Sequence, residues 1–206
     1  MSRLERFYEE LGRPLDLRSR VALVLVSLPL LFAFTAPLWR IHMVAPQYPQ
    51  GLDLLIYPHT VAGDIQEINT LNHYIGMARI DRAALSDLDW IPFAIGGLIL
   101  LALRVATIGD KRSLVDLTVL FVYFSGFSLF RFGYKLYVYG HNLDPRAPFE
   151  VEPFTPPILG MKQIANFTTW SYPDLGSLWL GIFGVGLVGV LLWNLRPAWG
   201  GPVRTG

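Results

Sequence analysis

The chain contains no cysteine. That absence excludes disulfides, thiolate metal sites, iron–sulfur clusters and thiol redox chemistry. Charge is also scarce: 16% of residues are ionic and the formal net charge is +1, which gives no reason to expect nucleic acid as a partner. The long apolar stretches hold no histidine and no methionine. A haem b inside a helical bundle needs axial histidines on its helices, so that class of electron carrier is excluded. No acidic or histidine series crosses these stretches either, which argues against a proton pump or an ion carrier. Walker, nucleophile-elbow and dinucleotide motifs are absent. Serines, histidines and aspartates occur between the apolar stretches, but no arrangement suggests hydrolysis.

What is abundant is apolar sequence, at 52% of residues, with a mean hydropathy of +0.40. Four runs approach the roughly 20 residues needed to cross a hydrocarbon core. They are 21–39, 90–107, 114–139 and 174–195. The expected fold is an all-α integral membrane protein, a four-transmembrane-helix bundle with two long extracytoplasmic loops forming a small cap. The remaining segments are then an N-terminal arm (1–20), a first loop (40–89), a cytoplasmic turn (108–113), a proline-rich second loop (140–173) and a tail (196–206). A cleaved secretory signal is the alternative reading of the first run. The twenty residues before it, and Pro37 directly after the small-residue exit at Ala36, argue against cleavage.

Basic residues orient the spans. The arm, the turn with Arg104 nearby, and the tail carry ten: Arg3, Arg6, Arg13, Arg18, Arg20, Arg104, Lys111, Arg112, Arg196 and Arg204. The opposite side carries six, or seven with Arg131. Both termini are therefore expected in the cytoplasm of a bacterial inner membrane, with both long loops outside. The outer segments hold nine of the sixteen acidic residues, or ten with Asp174 at their edge, among them Asp53, Asp64, Glu67, Asp87 and Glu150.

Residues 2–11 read as a short amphipathic helix, with Ser2 and Glu5 at capping-box spacing and Leu4, Phe7, Tyr8 and Leu11 on one face. In the first loop, 45–51 is rich in turn residues and Leu52–Tyr57 is a short, extended apolar piece. Gly63-Asp64 opens a helix on which Ile68, Leu71 and Ile75 form one stripe, opposite Gln66, Asn69, Thr70 and His73. Gly76 is expected to end it in a left-handed cap. The prolines of 140–173 favour extended backbone draped over the first loop.

All four histidines, and every methionine beyond the initiator, fall in the two outer loops: His42, Met43, His59, His73, Met77, His141 and Met161. Imidazole and thioether suit copper, so these seven are the candidate metal ligands. His73 and Met77 stand one helical turn apart and would point the same way if the helix ran through Gly76. The competing reading is a hydrogen-bonded loop histidine beside a gap-filling methionine. Arg131 and Lys135 lie near the outer end of the third run, where both can snorkel to the interface, and Arg131 could pair with a loop carboxylate or a partner subunit. Asp64 and Glu67 are further candidates for contact with a partner. In the fourth run Gly176, Gly181, Gly184, Gly186 and Gly189 spread around the helix, permitting close approach by more than one neighbour. Aromatic side chains could line a quinone site, but nothing specific marks one.

The run Gly63-Asp64-Ile65-Gln66-Glu67-Ile68-Asn69-Thr70-Leu71-Asn72-His73-Tyr74-Ile75-Gly76-Met77 follows Tyr48-Pro49-Gln50-Gly51-Leu52. It precedes Phe154-Thr155-Pro156-Pro157, Gly160 and Ile164-Ala165-Asn166-Phe167. Together these segments resemble small four-span membrane proteins encoded beside nitrous-oxide-reductase maturation and copper-handling genes, the NosB-like proteins. The resemblance implies a process, copper-enzyme biogenesis or its electron supply, and no particular activity. The resulting expectation is a non-catalytic accessory protein in contact with lipid and with other membrane or periplasmic subunits, assisting copper delivery. The alternative is a structural subunit of a larger respiratory or transport complex. Reporter fusions at Asn72 and Asn142 are expected to report the extracytoplasmic side, and a cytosolic signal from either would overturn this orientation.

Overall fold

The computed structural model describes residues 3–81, 83–164 and 166–200. Ser2, Ala165 and Arg204, invoked above, lie outside the described residues, as do the side chains of Arg3, Leu4, Arg6, Phe7, Asp87 and Arg196. In chain order the helices are α1 (Arg3–Leu11), α2 (Leu17–Ser27), α3 (Pro29–Ala33), α4 (Ile65–Tyr74), α5 (Ile91–Ile108), α6 (Lys111–His141) and α7 (Leu175–Gly200). The strands are β1 (Trp39–Ala45), β2 (Tyr48–Ile56), β3 (Val61–Gly63), β4 (Gly160–Ile164) and β5 (Phe167–Pro173).

The fold is therefore mixed α/β, and the expected all-α bundle is corrected. A five-stranded antiparallel sheet runs β3-β2-β1-β5-β4, built from the two segments assigned above to a cap of loops. Among the described residues three helices, not four, are long and apolar enough to cross a membrane: Ile91–Ile108, Lys111–His141 and Leu175–Leu195. The first apolar run fails because of Pro29. Proline has no N–H to give to the carbonyl four residues back, and the Leu25 carbonyl instead accepts from the Leu28 N–H at 3.3 Å. An 11-residue and a 5-residue helix result. The end of that run, Trp39, already belongs to β1.

The chain divides into two compact units. One comprises 1–31, 94–125 and 179–206. Its buried apolar residues include Leu23, Leu30, Ile95, Leu114, Phe183 and Leu187, and polar ties join the arm to the helices. The Arg20 guanidinium donates to the carbonyls of Leu15 (3.0 Å) and Thr107 (2.6 Å). Buried Asn194 donates to the Ser19 hydroxyl at 2.7 Å, which meets the requirement that a buried amide be paired. Lys111 forms an ion pair with Glu10. Asp110 caps α6, its carboxylate accepting from the Ser113 backbone and hydroxyl, both at 2.8 Å. Those bonds hold the Asp110 carboxyl below its ordinary value.

The other unit comprises 32–93 and 126–178. One face of its sheet presents Ile41, Leu52 and Leu54, which pack with Ile68 of α4. Trp39, Met43 and Leu71, with Phe132 and Leu136 from the later part of α6, close this core. Period-two alternation puts residues 39, 41 and 43 of β1 on the covered face and residues 40 and 42 on the other. The two polar residues buried in β5 are Thr169 and Ser171. Ser171 is satisfied there: its hydroxyl accepts from the Trp39 indole at 2.8 Å and donates to the Ile158 carbonyl at 3.0 Å.

The extended piece falls in β2, Ile68 and Leu71 of the expected stripe pack in this core while Ile75 lies past the end of α4, and Gly76 takes φ +77°. Asp64 stands at the N-cap position, yet its side chain makes no capping bond. It reaches sideways to accept from the Asp53 N–H at 2.8 Å. Ile68→Ala is expected to lower the stability of the sheet unit by about 2–5 kcal/mol, the usual range for a fully buried Ile truncation. Chemical denaturation of the detergent-solubilised protein checks it.

Candidate functional site

The exposed face of the sheet carries the most organised set of polar side chains among the described residues. Antiparallel register places Met161 opposite Trp170, Trp170 opposite His42, and His42 opposite Asp53. Directly paired residues share a face, so these four form one row across β4, β5, β1 and β2. The next row places Tyr172 opposite Arg40.

Asp53 is the hinge of this face. Its Oδ1 lies 2.9 Å from His42 Nδ1, and its Oδ2 lies 3.8 Å from the Arg40 guanidinium. Arg40 Nε in turn donates to Asp174 at 2.9 Å. That hydrogen bond to Asp174 raises the Arg40 pKa above its ordinary value. With Nδ1 facing Asp53, the other ring nitrogen, Nε2, lies against Gly51. The His42 ring lies 5.8 Å from the Trp170 ring, tilted by 44°. Its side chain is 30% exposed.

Gly51 makes room for this ring. It adopts φ +86°, and a Cβ there would sit 2.2 Å from His42 Cε1 and 2.4 Å from Nε2. Position 51 thus needs glycine twice over, for the left-handed backbone and for the imidazole.

The seven candidate ligands do not converge as a group. His42 and Met161 share the row just described. Met43, the residue after His42, points to the opposite face and packs in the core. His73 lies on α4, which covers that core face, and its ring meets Tyr74 at 6.2 Å. Met77 is separated from it by the Gly76 turn: α4 ends at Tyr74, and the Met77 N–H donates to the Asn72 carbonyl at 2.9 Å. The continuous-helix pairing of His73 with Met77 is therefore corrected. His59 sits in the β2–β3 turn near Tyr57, with ring centroids 6.2 Å apart. His141 ends α6 stacked on Tyr137, centroids 3.9 Å apart, with Nδ1 bonded to the Tyr137 carbonyl. Among the described residues, no three or more His, Cys, Asp or Glu side chains gather closely enough to hold a metal.

The candidate partner residues are dispersed too. The Arg131 guanidinium stands 5.7 Å from the Tyr134 ring centre, and the Lys135 ammonium 6.0 Å from that of Tyr139. Glu67 is exposed in the first turn of α4, while Asp64 is bound to Asp53 as described. A Cβ on Gly184 would meet the Phe121 ring at 2.4 Å, whereas one on Gly181 would meet nothing within 4 Å. A cleft of about 320 Å³ in the other unit is lined by Glu10, Arg13, Asp16, Lys111, Trp193 and Asn194. Its charges answer one another: Glu10 holds both Lys111 and Arg13, and Asp16 accepts from Ser19.

Residues 40, 170 and 172 were not singled out from the sequence, and Asp53 was named only as one of the outer acidic residues. Their signal is the alternation of 39–45 and 167–173, which becomes visible once both segments are read as strands. Compared with known proteins, the chain matches no family model, no curated protein and no solved structure. Gly51→Ala is expected to expel the His42 ring and break its bond to Asp53. Nitrogen-15 NMR of the histidine rings checks this: the Nδ1-protonated signal of His42 is lost in Gly51→Ala and kept in Gly181→Ala.

Proposed function

We propose that this chain is a non-catalytic, multi-pass accessory protein of a bacterial inner membrane that assists copper delivery to an extracytoplasmic copper oxidoreductase. The observation that carries the reading is the exposed sheet face, where Asp53 orients His42 beside Trp170. Both the sheet and its neutral nitrogen and sulfur donors belong to the segments that the distribution of basic residues assigns to the outer side. The likeness of the loop sequences to NosB-like proteins points the same way. In this reading α5, α6 and α7 anchor the protein, the sheet meets the recipient enzyme, and the basic arm and α5–α6 turn remain cytoplasmic.

A second reading, a structural subunit of a larger membrane complex, rests on α7. Gly176, Gly184 and Gly186 each face a close neighbour within the chain, while added Cβ atoms at Gly181 and Gly189 would meet nothing within 4 Å. Such open small-residue positions admit another helix at short range.

A gentle membrane preparation separates the two. Under the first reading, cells lacking this chain produce the copper enzyme with reduced copper content, and His42→Ala fails to restore it. A fully metallated enzyme in those cells, together with a stoichiometric membrane partner on the purified chain, would favour the second.

A further inference from the structure

We infer that α6 pairs with the α6 of a second copy of this chain along a line of exposed aromatic side chains from Tyr123 to Tyr137. The pairing needs α6 to cross a membrane, as its length and composition allow, and is independent of the copper reading.

The line follows from spacing. Tyr123, Phe127, Phe130, Tyr134 and Tyr137 stand alternately four and three residues apart on one continuous helix of 31 residues. That alternation is the seam by which one helix packs along another at a small crossing angle. All five are exposed, Tyr123 at 73%, Phe130 at 65% and the others at about half. Lipid covers apolar side chains on any span, and α5 and α7 offer it aliphatic residues such as Leu100, Leu103, Val185 and Val188. By contrast, α6 presents a row of rings, three of them phenols. Lys111 opens the helix and Tyr123 lies twelve residues on. That is roughly 18 Å along the axis, near the middle of a hydrocarbon core about 30 Å thick. Among the described residues the Tyr123 hydroxyl has no hydrogen-bond partner, and hydrocarbon supplies none.

Chemistry and area set the occupant. A phenol both donates and accepts a hydrogen bond. A two-fold axis along the membrane normal brings each residue of the line to its counterpart, so each Tyr123 hydroxyl finds its partner in the other copy. At about 200 Å² for an aromatic side chain, the exposed parts of the five rings amount to roughly 600 Å² per copy. A standard stable interface buries about 800 Å² per partner. Val119 and Leu120, also about half exposed and one turn earlier, add most of the difference. The rings are largely preset, which lowers the cost of association. Phe130 stacks on Tyr134 with centroids 6.4 Å apart and 19° between planes, and Trp90 braces Phe127 at 5.5 Å. Exposed Asp116 continues the line toward the start of α6. It would meet its own charge there, so the two helices part before it.

The absence of cysteine makes the test direct, since a single introduced thiol reports alone. Single-cysteine variants of the full-length chain are oxidised in native membrane vesicles. Tyr123→Cys and Phe130→Cys are expected to form a covalent dimer, whereas Leu100→Cys on α5 and Val185→Cys on α7, at similarly exposed positions, are not. Sedimentation of the purified chain in dodecyl maltoside is expected to give a dimer. Phe130→Ala raises its dissociation constant about tenfold or more, as loss of a central aromatic anchor does. Tyr123→Phe keeps the ring and loses the hydroxyl, raising the constant about threefold, the size of an average interhelical hydrogen bond in a bilayer. Both α6 positions are exposed, so neither change touches the core. A covalent dimer at Leu100→Cys or Val185→Cys instead, equal cross-linking at all four positions, or a monomer at every concentration would each overturn the pairing. A water-soluble maleimide separates the two ways of failing. Tyr123→Cys left unlabelled and uncross-linked rejects the pairing and keeps the span. Tyr123→Cys labelled from the water rejects the span, and the pairing with it.

Discussion

The pairing of β1 with β5 joins two stretches of chain that the sequence separates by more than a hundred residues, and the sheet unit depends on it. Six register pairs run from Trp39–Pro173 to Val44–Thr168, reinforced by the Trp39–Ser171 hydrogen bond and the Arg40–Asp174 ion pair. A loop that long is costly to close, although the cost grows only slowly with length. Secreted domains often meet such a cost with disulfides. This chain, lacking cysteine, meets it with backbone pairing and a core formed by α4 and the later part of α6.

Once that ladder is set, the two faces of the sheet have separate duties. Ile41, Leu52 and Leu54 go to the core, and the residues beside them in sequence go to the open side. His42 and Met43 show the division most sharply: adjacent in sequence, both of a metal-binding type, they end on opposite faces. The glycine-to-methionine run at 63–77 also resolves into structural tasks. A side chain at Gly63 would collide with the Asp53 carbonyl. Asn69 grips the backbone N–H and C=O of Ile80 at 2.7 and 3.0 Å, Asn72 donates to Ala78, and Gly76 turns the chain beneath Asp144. The segment most distinctive in sequence thus holds the fold together, while the polar face lies elsewhere.

The sequence made several features legible. The three long apolar helices, the α4 stripe and its glycine terminator follow from periodicity and composition, which report local burial. The sheet does not, for three identifiable reasons. β1 begins at Trp39, inside what reads as an apolar span. β5 buries Thr169 and Ser171, polar residues whose inward position depends on partners as distant as Trp39. The prolines between 145 and 157 draw attention to loop character just ahead of β4. The candidate site was half visible: His42 and Met161 were named for their chemistry, but Asp53 and Trp170 gain meaning only through register, which no local pattern encodes.

The imidazole at position 42 occupies the volume that any side chain at position 51 would need. The two positions are therefore inherited as a couple. A descendant that exchanged His42 for a small residue would free its hairpin partner to drift, whereas one that kept the imidazole would be barred from gaining even a methyl at 51. Joint variation at this pair across diverged chains is a molecular signature of the site, legible where overall likeness has faded.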